Sequence, residues 1–131
     1  MENNNVLLQV SSWWGLHNPG STSLSVTTDK ELIYQHSYYR LSKELEELGV
    51  PATKNTVIKK LNDDEFNSVI DFIENNIVGK EYVSQRIFDA GYDVYVNYKG
   101  KEYKIYNNID WQNKTGLYNI TKDFMDNLKE R

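Results

Sequence analysis

The chain reads as an α+β fold in which an antiparallel sheet, built from two β-hairpins plus a short strand, is packed against two main α-helices and one short helix. Three observations predict it. Tyr92 to Asn107, YDVYVNYKGKEYKIYN, alternates apolar and polar residues about a two-residue turn at Lys99 and Gly100. Ser21 to Tyr39 holds a second alternating pair of segments. Asn62 to Gly79 carries a helix start, an apolar stripe at the 3.6-residue period and a stop. Hairpins and helices in separate runs are the pattern of helices laid on an antiparallel sheet. With 131 residues the chain is read as a single domain, 1–131.

Val6 to Val10 is a short apolar strand candidate. Ser21 to Thr28 places Leu24 and Val26 on one side. A loop at Asp29, Lys30 and Glu31 returns the chain into Leu32 to Tyr39, setting Val26 opposite Tyr34 and Thr28 opposite Leu32. Leu41, Leu45 and Leu48 suit about two helical turns, with Ser42 as a cap and Gly49 followed by Pro51 as a stop. So short a helix must dock on the rest of the fold. Thr56 to Lys60 is the short strand.

The clearest helix follows. Asn62 is an N-cap, Glu65 completes a capping box, and Leu61 with Phe66 forms a hydrophobic staple. Phe66, Val69, Ile70, Ile73 and Ile77 make the stripe, Asp63, Asp64 and Glu65 complement the helix dipole, and Gly79 ends the helix. This helix is expected to be the main cover of the sheet. Tyr82 to Phe88 is read as an irregular strand leading into the second hairpin. There Tyr98 should face Lys101, Val96 Tyr103 and Val94 Ile105, burying Val94, Val96, Tyr103 and Ile105. NNIDWQNKTG is a loop carrying Trp111. A closing helix presents Leu117, Ile120, Thr121, Phe124 and Leu128.

Composition bounds the function. Hydrophobic residues at 39% and charged residues at 26% are those of a globular protein. No apolar run approaches the roughly 20 residues that span a bilayer. The polar, acidic MENNN start lacks the basic and apolar regions of a secretory signal, so a cytoplasmic location is expected. Without an export signal the N-x-T triplets at Asn113 and Asn119 carry no weight as glycosylation acceptors. Without cysteine there is no disulfide framework, thiolate metal site or Cys nucleophile. A net charge of −4 argues against nucleic acid and suits a basic partner.

No metal-binding, nucleophile-elbow or phosphate-loop motif is present, so no catalytic residue, cofactor or metal is expected and the chain is read as a non-enzyme. The candidate contacts lie elsewhere. The wet face of the second hairpin collects Asp93, Tyr95, Asn97, Glu102, Lys104 and Tyr106, and tyrosine supplies large rigid contact area with a polar tip. The loop WWGLHNPG adds Trp14 and His17, with the alternative that Trp13 or Trp14 anchors the hairpin end. His36 shares the face of Leu32 and Tyr34, where packing at a sheet margin explains it. Turn formation explains Asp89 and Asp93 about Gly91, and dipole complementation explains Asp63 and Asp64.

In size, acidity, lack of catalytic motifs and layout, the chain resembles small acidic bacterial immunity proteins that neutralise a cognate toxin. The resemblance is one of overall character and transfers no residue. It implies a protein partner, a basic toxin domain, met by Asp93, Tyr95, Asn97, Glu102 and Tyr106 together with Trp14 and His17. Two alternatives stand beside it: a small-molecule-binding or enzymatic domain with a pocket near the Trp13 to His17 loop, and a phage or mobile-element accessory protein binding a host factor. Exposed strand edges also permit a homodimer.

Overall fold

The computed structural model describes residues 5–14, 20–38, 53–85 and 90–130. Among these residues six strands, β1 (Val6–Trp14), β2 (Gly20–Thr27), β3 (Glu31–Tyr38), β4 (Thr53–Lys60), β5 (Ala90–Tyr98) and β6 (Lys101–Tyr106), join two helices, α1 (Asp63–Asn76) and α2 (Leu117–Glu130). The fold is α+β. All strand pairs are antiparallel, in the order β4-β3-β2-β1-β5-β6. The short helix expected at 41–48 and the loop at 15–19 lie outside the described residues.

The β5–β6 pair has the register its alternation predicts, with Tyr98 opposite Lys101, Val96 opposite Tyr103 and Val94 opposite Ile105. Lys99 at φ 51° and Gly100 at φ 80° both enter the left-handed region, as a two-residue turn matched to strand twist requires. The β2–β3 register differs from expectation. Val26 faces Leu32 and Leu24 faces Tyr34, a two-residue slide that keeps each side chain on its face. The cause is the turn, which is Thr28, Asp29 and Lys30. Lys30 N donates to Thr27 O at 3.0 Å and Lys30 takes φ 68°, so the left-handed residue closes the loop one position earlier.

Two bulges break the alternation. Between Val6 and Leu8 the register shifts, and Leu7 and Leu8 are both buried. Between the pairs Leu32/Lys59 and Ile33/Val57 it shifts again, and Ile58 and Lys59 both reach the helix side. Residues 80–85 are irregular rather than a strand. They lie along the end of β6, where Gln85 N donates to Tyr106 O at 2.8 Å and Tyr106 N donates to Ser84 Oγ at 3.0 Å. Residues 86–89 lie outside the described residues.

Both helices cover the same side of the sheet. At the start of α1, Asn62 Oδ1 accepts from Glu65 N at 2.8 Å while Asn62 N donates to Glu65 Oε1 at 3.0 Å, which is the capping box. Lys30 on the β2–β3 turn pairs with Asp63 at 2.8 Å, and Tyr98 beside the β5–β6 turn donates to Glu74. Asp63 and Glu74 are about 16 Å apart along a helix, and the two turns are three strand spacings, about 14 Å, apart. The helix therefore runs across the strands at that end of the sheet. Val69, Ile73 and Ile77 are buried there, while Phe66 and Ile70 are only partly covered.

Helix α2 lies beside α1, with Phe72 stacked on Phe124 at 4.5 Å between ring centres. Its buried side chains are Leu117, Tyr118, Thr121, Met125 and Leu128, so the stripe is rotated relative to expectation and Ile120 and Phe124 sit at its margin. That rotation follows from α1 already occupying one flank. Lys59 Nζ contacts Glu65 Oε2 at 2.7 Å and Leu128 O at 3.3 Å, joining β4 and both helices.

Candidate functional site

Strand alternation sends Leu8, Val10, Leu24, Val26, Leu32, Val94 and Val96 under the helices and the intervening residues to the other face. Pair registers then align rows across all six strands. One runs Asn55, Gln35, Ser23, Ser11, Asp93, Tyr106, and the next Val57, Ile33, Ser25, Gln9, Tyr95, Lys104. Both described helices are on the opposite side. This outer face is therefore free of both described helices, although Ser23, Ser25 and Thr27 in mid-sheet are buried.

At its β5–β6 end Tyr95 donates to Glu102 Oε2 at 2.7 Å. That bond to a carboxylate holds the Tyr95 phenol above its ordinary pKa and keeps it a hydrogen-bonded neutral group. Towards β4 the polar side chains pair with one another: Ser25 Oγ with Gln9 Oε1 at 2.9 Å, and Gln35 Nε2 with Asn55 Oδ1 at 2.9 Å. Two shallow depressions share Gln9. One of about 270 Å³ is lined by Ser11, Asp93, Tyr95, Glu102, Lys104 and Tyr106. The other, of about 190 Å³, is lined by Ser23, Ser25, Ile33, Gln35, Asn55 and Val57.

Sequence-predicted contacts are thus brought together in part. Asp93 stands opposite Tyr106, and Asn97 opposite Glu102, with Tyr95 between them. Lys104, opposite Tyr95, offsets the acidic groups, so the surface is mixed in charge and largely uncharged towards its centre. Trp14 ends β1 between Gly20 and Ala90. His17 and Asp89 lie outside the described residues. Trp13 shares the outer face and its indole rests on Gly91, where an added Cβ would fall 1.8 Å from Trp13 Nε1. Gln9, Ser11, Ser23, Ser25, Gln35 and Asn55 escaped the sequence reading. Their signal was the alternation Ser21, Ser23, Ser25, Thr27, visible only once β2 is known to lie in mid-sheet.

His36 faces Thr22 and Lys54 on the helix side. Among the described residues, no three His, Asp or Glu side chains gather as metal ligands, and no helix is long and apolar enough to cross a membrane.

A second feature is the loop from Asn107 to Gly116. Asp110 organises it: Oδ1 accepts from Gln112 N and Asn113 N at 3.0 Å each, and Oδ2 accepts from Thr115 Oγ1 at 3.0 Å. The Asn113 amide above all, with the Thr115 hydroxyl and Gln112 amide, holds the Asp110 carboxyl below its ordinary pKa. A carboxylate with a lowered folded pKa contributes order that is present above its unfolded value and lost as pH falls through the folded one. We expect the Gln112 and Asn113 amide resonances to titrate with a midpoint below the roughly 3.9 of a free aspartate. A midpoint at or above that value would remove Asp110 from this role. Trp111, at the loop's tip, is 65% exposed and forms a T-shaped pair with Tyr92, 5.1 Å between ring centres.

Compared with protein-family models, curated proteins and solved structures, the chain matches none.

Proposed function

We propose that this chain is a binding protein that acts by occluding a protein partner, as an immunity protein neutralises its cognate toxin, and that the outer sheet face is its contact surface. The observation that supports this is the continuity of that face: aligned rows from six strands on the side away from both described helices, with the Tyr95–Glu102 hydrogen bond within it. A rigid sheet presents such side chains with little ordering cost on association, and a tyrosine held by a carboxylate loses less rotamer freedom still. Asp93 and Glu102 with the net charge of −4 favour a basic partner by steering encounter. The expected setting is the cytoplasm.

The test uses the purified product of the gene adjacent to this one. Wild-type chain should bind it in calorimetry and protect cells producing it. Tyr95→Ala with Glu102→Ala should weaken binding about tenfold or more, the scale of a contact hot spot, with stability changed by under about 0.5 kcal/mol because both side chains are at the surface. Equal affinity for the double variant would sink this surface as the contact.

A further inference from the structure

We propose that the free edge of β6 pairs with β6 of a second copy of this chain, antiparallel about a two-fold axis at Tyr103, so that the sheet continues across a dimer. The inference is independent of the toxin-partner reading above, and either can hold without the other.

The ladder shows which groups of β6 are free. Lys101 closes the two-residue turn opposite Tyr98, and Asn107 N donates to Tyr92 O at 2.8 Å, so Lys101, Tyr103, Ile105 and Asn107 turn their backbone groups towards β5. The residues between them turn theirs to the edge. Tyr106 bears this out, since on that side its N–H donates to Ser84 Oγ and its carbonyl accepts from Gln85 N. Glu102 and Lys104 share the direction of Tyr106. Both are exposed, and among the described residues no strand lies beside them. Their N–H and C=O groups are a template for another strand. The opposite edge, β4, carries the devices that keep an edge unpaired: a bulge beside Ile58, and Lys54 and Lys60 along its length.

The charges on β6 say what covers it. Edge-facing residues must oppose edge-facing residues, which leaves three registers for a β6 self-pair. Glu102 opposite Glu102 sets like charges together. Lys104 opposite Lys104 does the same and also needs the Tyr106 edge, which Ser84 and Gln85 already occupy. The remaining register sets Glu102 opposite Lys104 of the second copy and Lys104 opposite its Glu102, so the two-fold axis makes one favourable pair twice. Tyr95 holds Glu102 by Oε2, which leaves Oε1 to receive the lysine. On the helix side the half-buried Tyr103 ring, with Lys101 Nζ at 5.0 Å from its centre, meets its own counterpart. Residues 101–105 of each copy form a short interface, so the dimer is a reversible one of modest affinity. It would join two outer faces into one surface.

The test is sedimentation of the whole chain over a concentration series, with Glu102→Lys, Lys104→Glu and the double exchange Glu102→Lys/Lys104→Glu beside wild type. Support is a wild-type dimer, dissociation about tenfold or more easier in each single variant, where two attractive pairs become repulsive, and recovery in the double exchange. The chain has no cysteine, so single introduced thiols report the register under oxidised glutathione. Tyr103→Cys should cross-link, because position 103 meets itself about 4.5 Å apart between Cα atoms, within disulfide reach. Glu102→Cys, two residues out of register with itself, should not. Wild type sedimenting as a monomer throughout would overturn the dimer. A dimer that keeps its affinity in both single variants, or that cross-links through position 102 and not 103, would overturn this edge and register.

Discussion

Replacing Lys59 with alanine is expected to lower the free energy of unfolding by about 3 kcal/mol, the scale for stranding one partner of a buried ion pair. Glu65 is 8% exposed and meets Lys59 Nζ at 2.7 Å. The lysine side chain is itself only 21% exposed and reaches Leu128 O at 3.3 Å, so its loss uncouples β4 from both helices. Glu65 cannot simply turn to water, because its other oxygen holds the Asn62 amide in the capping box. Urea unfolding of Lys59→Ala, Glu65→Gln and the double variant is the measurement. The double variant should recover part of the loss, since neutralising Glu65 removes the stranded charge. A Lys59→Ala deficit under about 1 kcal/mol, the range of exposed pairs, would show that water screens this pair.

Gly91→Ala is expected to cost about 2 kcal/mol, within the range for overpacking, although alanine is otherwise no worse than glycine in a strand. The new Cβ would lie 1.8 Å from Trp13 Nε1 and 2.4 Å from Trp13 Cε2, so the indole must leave its seat on β5. Near-ultraviolet dichroism should lose part of its tryptophan signal in step with the fall in stability. In a Trp13→Ala background the same glycine substitution should cost under about 0.5 kcal/mol, because the overlapping group has gone. An undiminished cost in that background would place the strain elsewhere. The outcome also assigns Trp13 to anchoring the end of β1, the structural one of the two roles its sequence allowed.

Local features carried the legible part of the fold. The capping box at Asn62 and Glu65, the turn at Lys99 and Gly100 and the register of Tyr92 to Asn107 all depend on residues within a few positions of one another. The neighbouring hairpin at Thr28 to Lys30 slid by two residues, because a lysine in the left-handed region is not signalled by residue type. The bulges at Leu7 and Ile58 were invisible for a related reason: each repays a broken alternation only through burial against helices distant in sequence. Lys59 reads as an exposed strand residue until the bulge turns it towards Glu65.

The candidate site divides the same way. Asp93, Tyr95, Asn97, Glu102 and Tyr106 were legible because one hairpin determines their common face. Gln9, Ser23, Ser25, Gln35 and Asn55 joined them only because β1 sits between β2 and β5, a pairing of segments some eighty residues apart. Trp111 could be read as a loop residue, while the course of its loop depended on Asn107 and Asn108 being engaged by groups in β5, α2 and residues 83–85, with Asp110 closing the loop on itself.

By itself the sequence determined an α+β chain, its principal capped helix, its second hairpin and the side chains that hairpin turns outward, all consequences of period, capping and turn chemistry acting over short spans. The tertiary structure alone decided the strand order, the side on which both described helices lie and hence which side chains line the opposite face. Those depend on where buried apolar area is greatest once distant segments meet, a quantity that no local pattern contains.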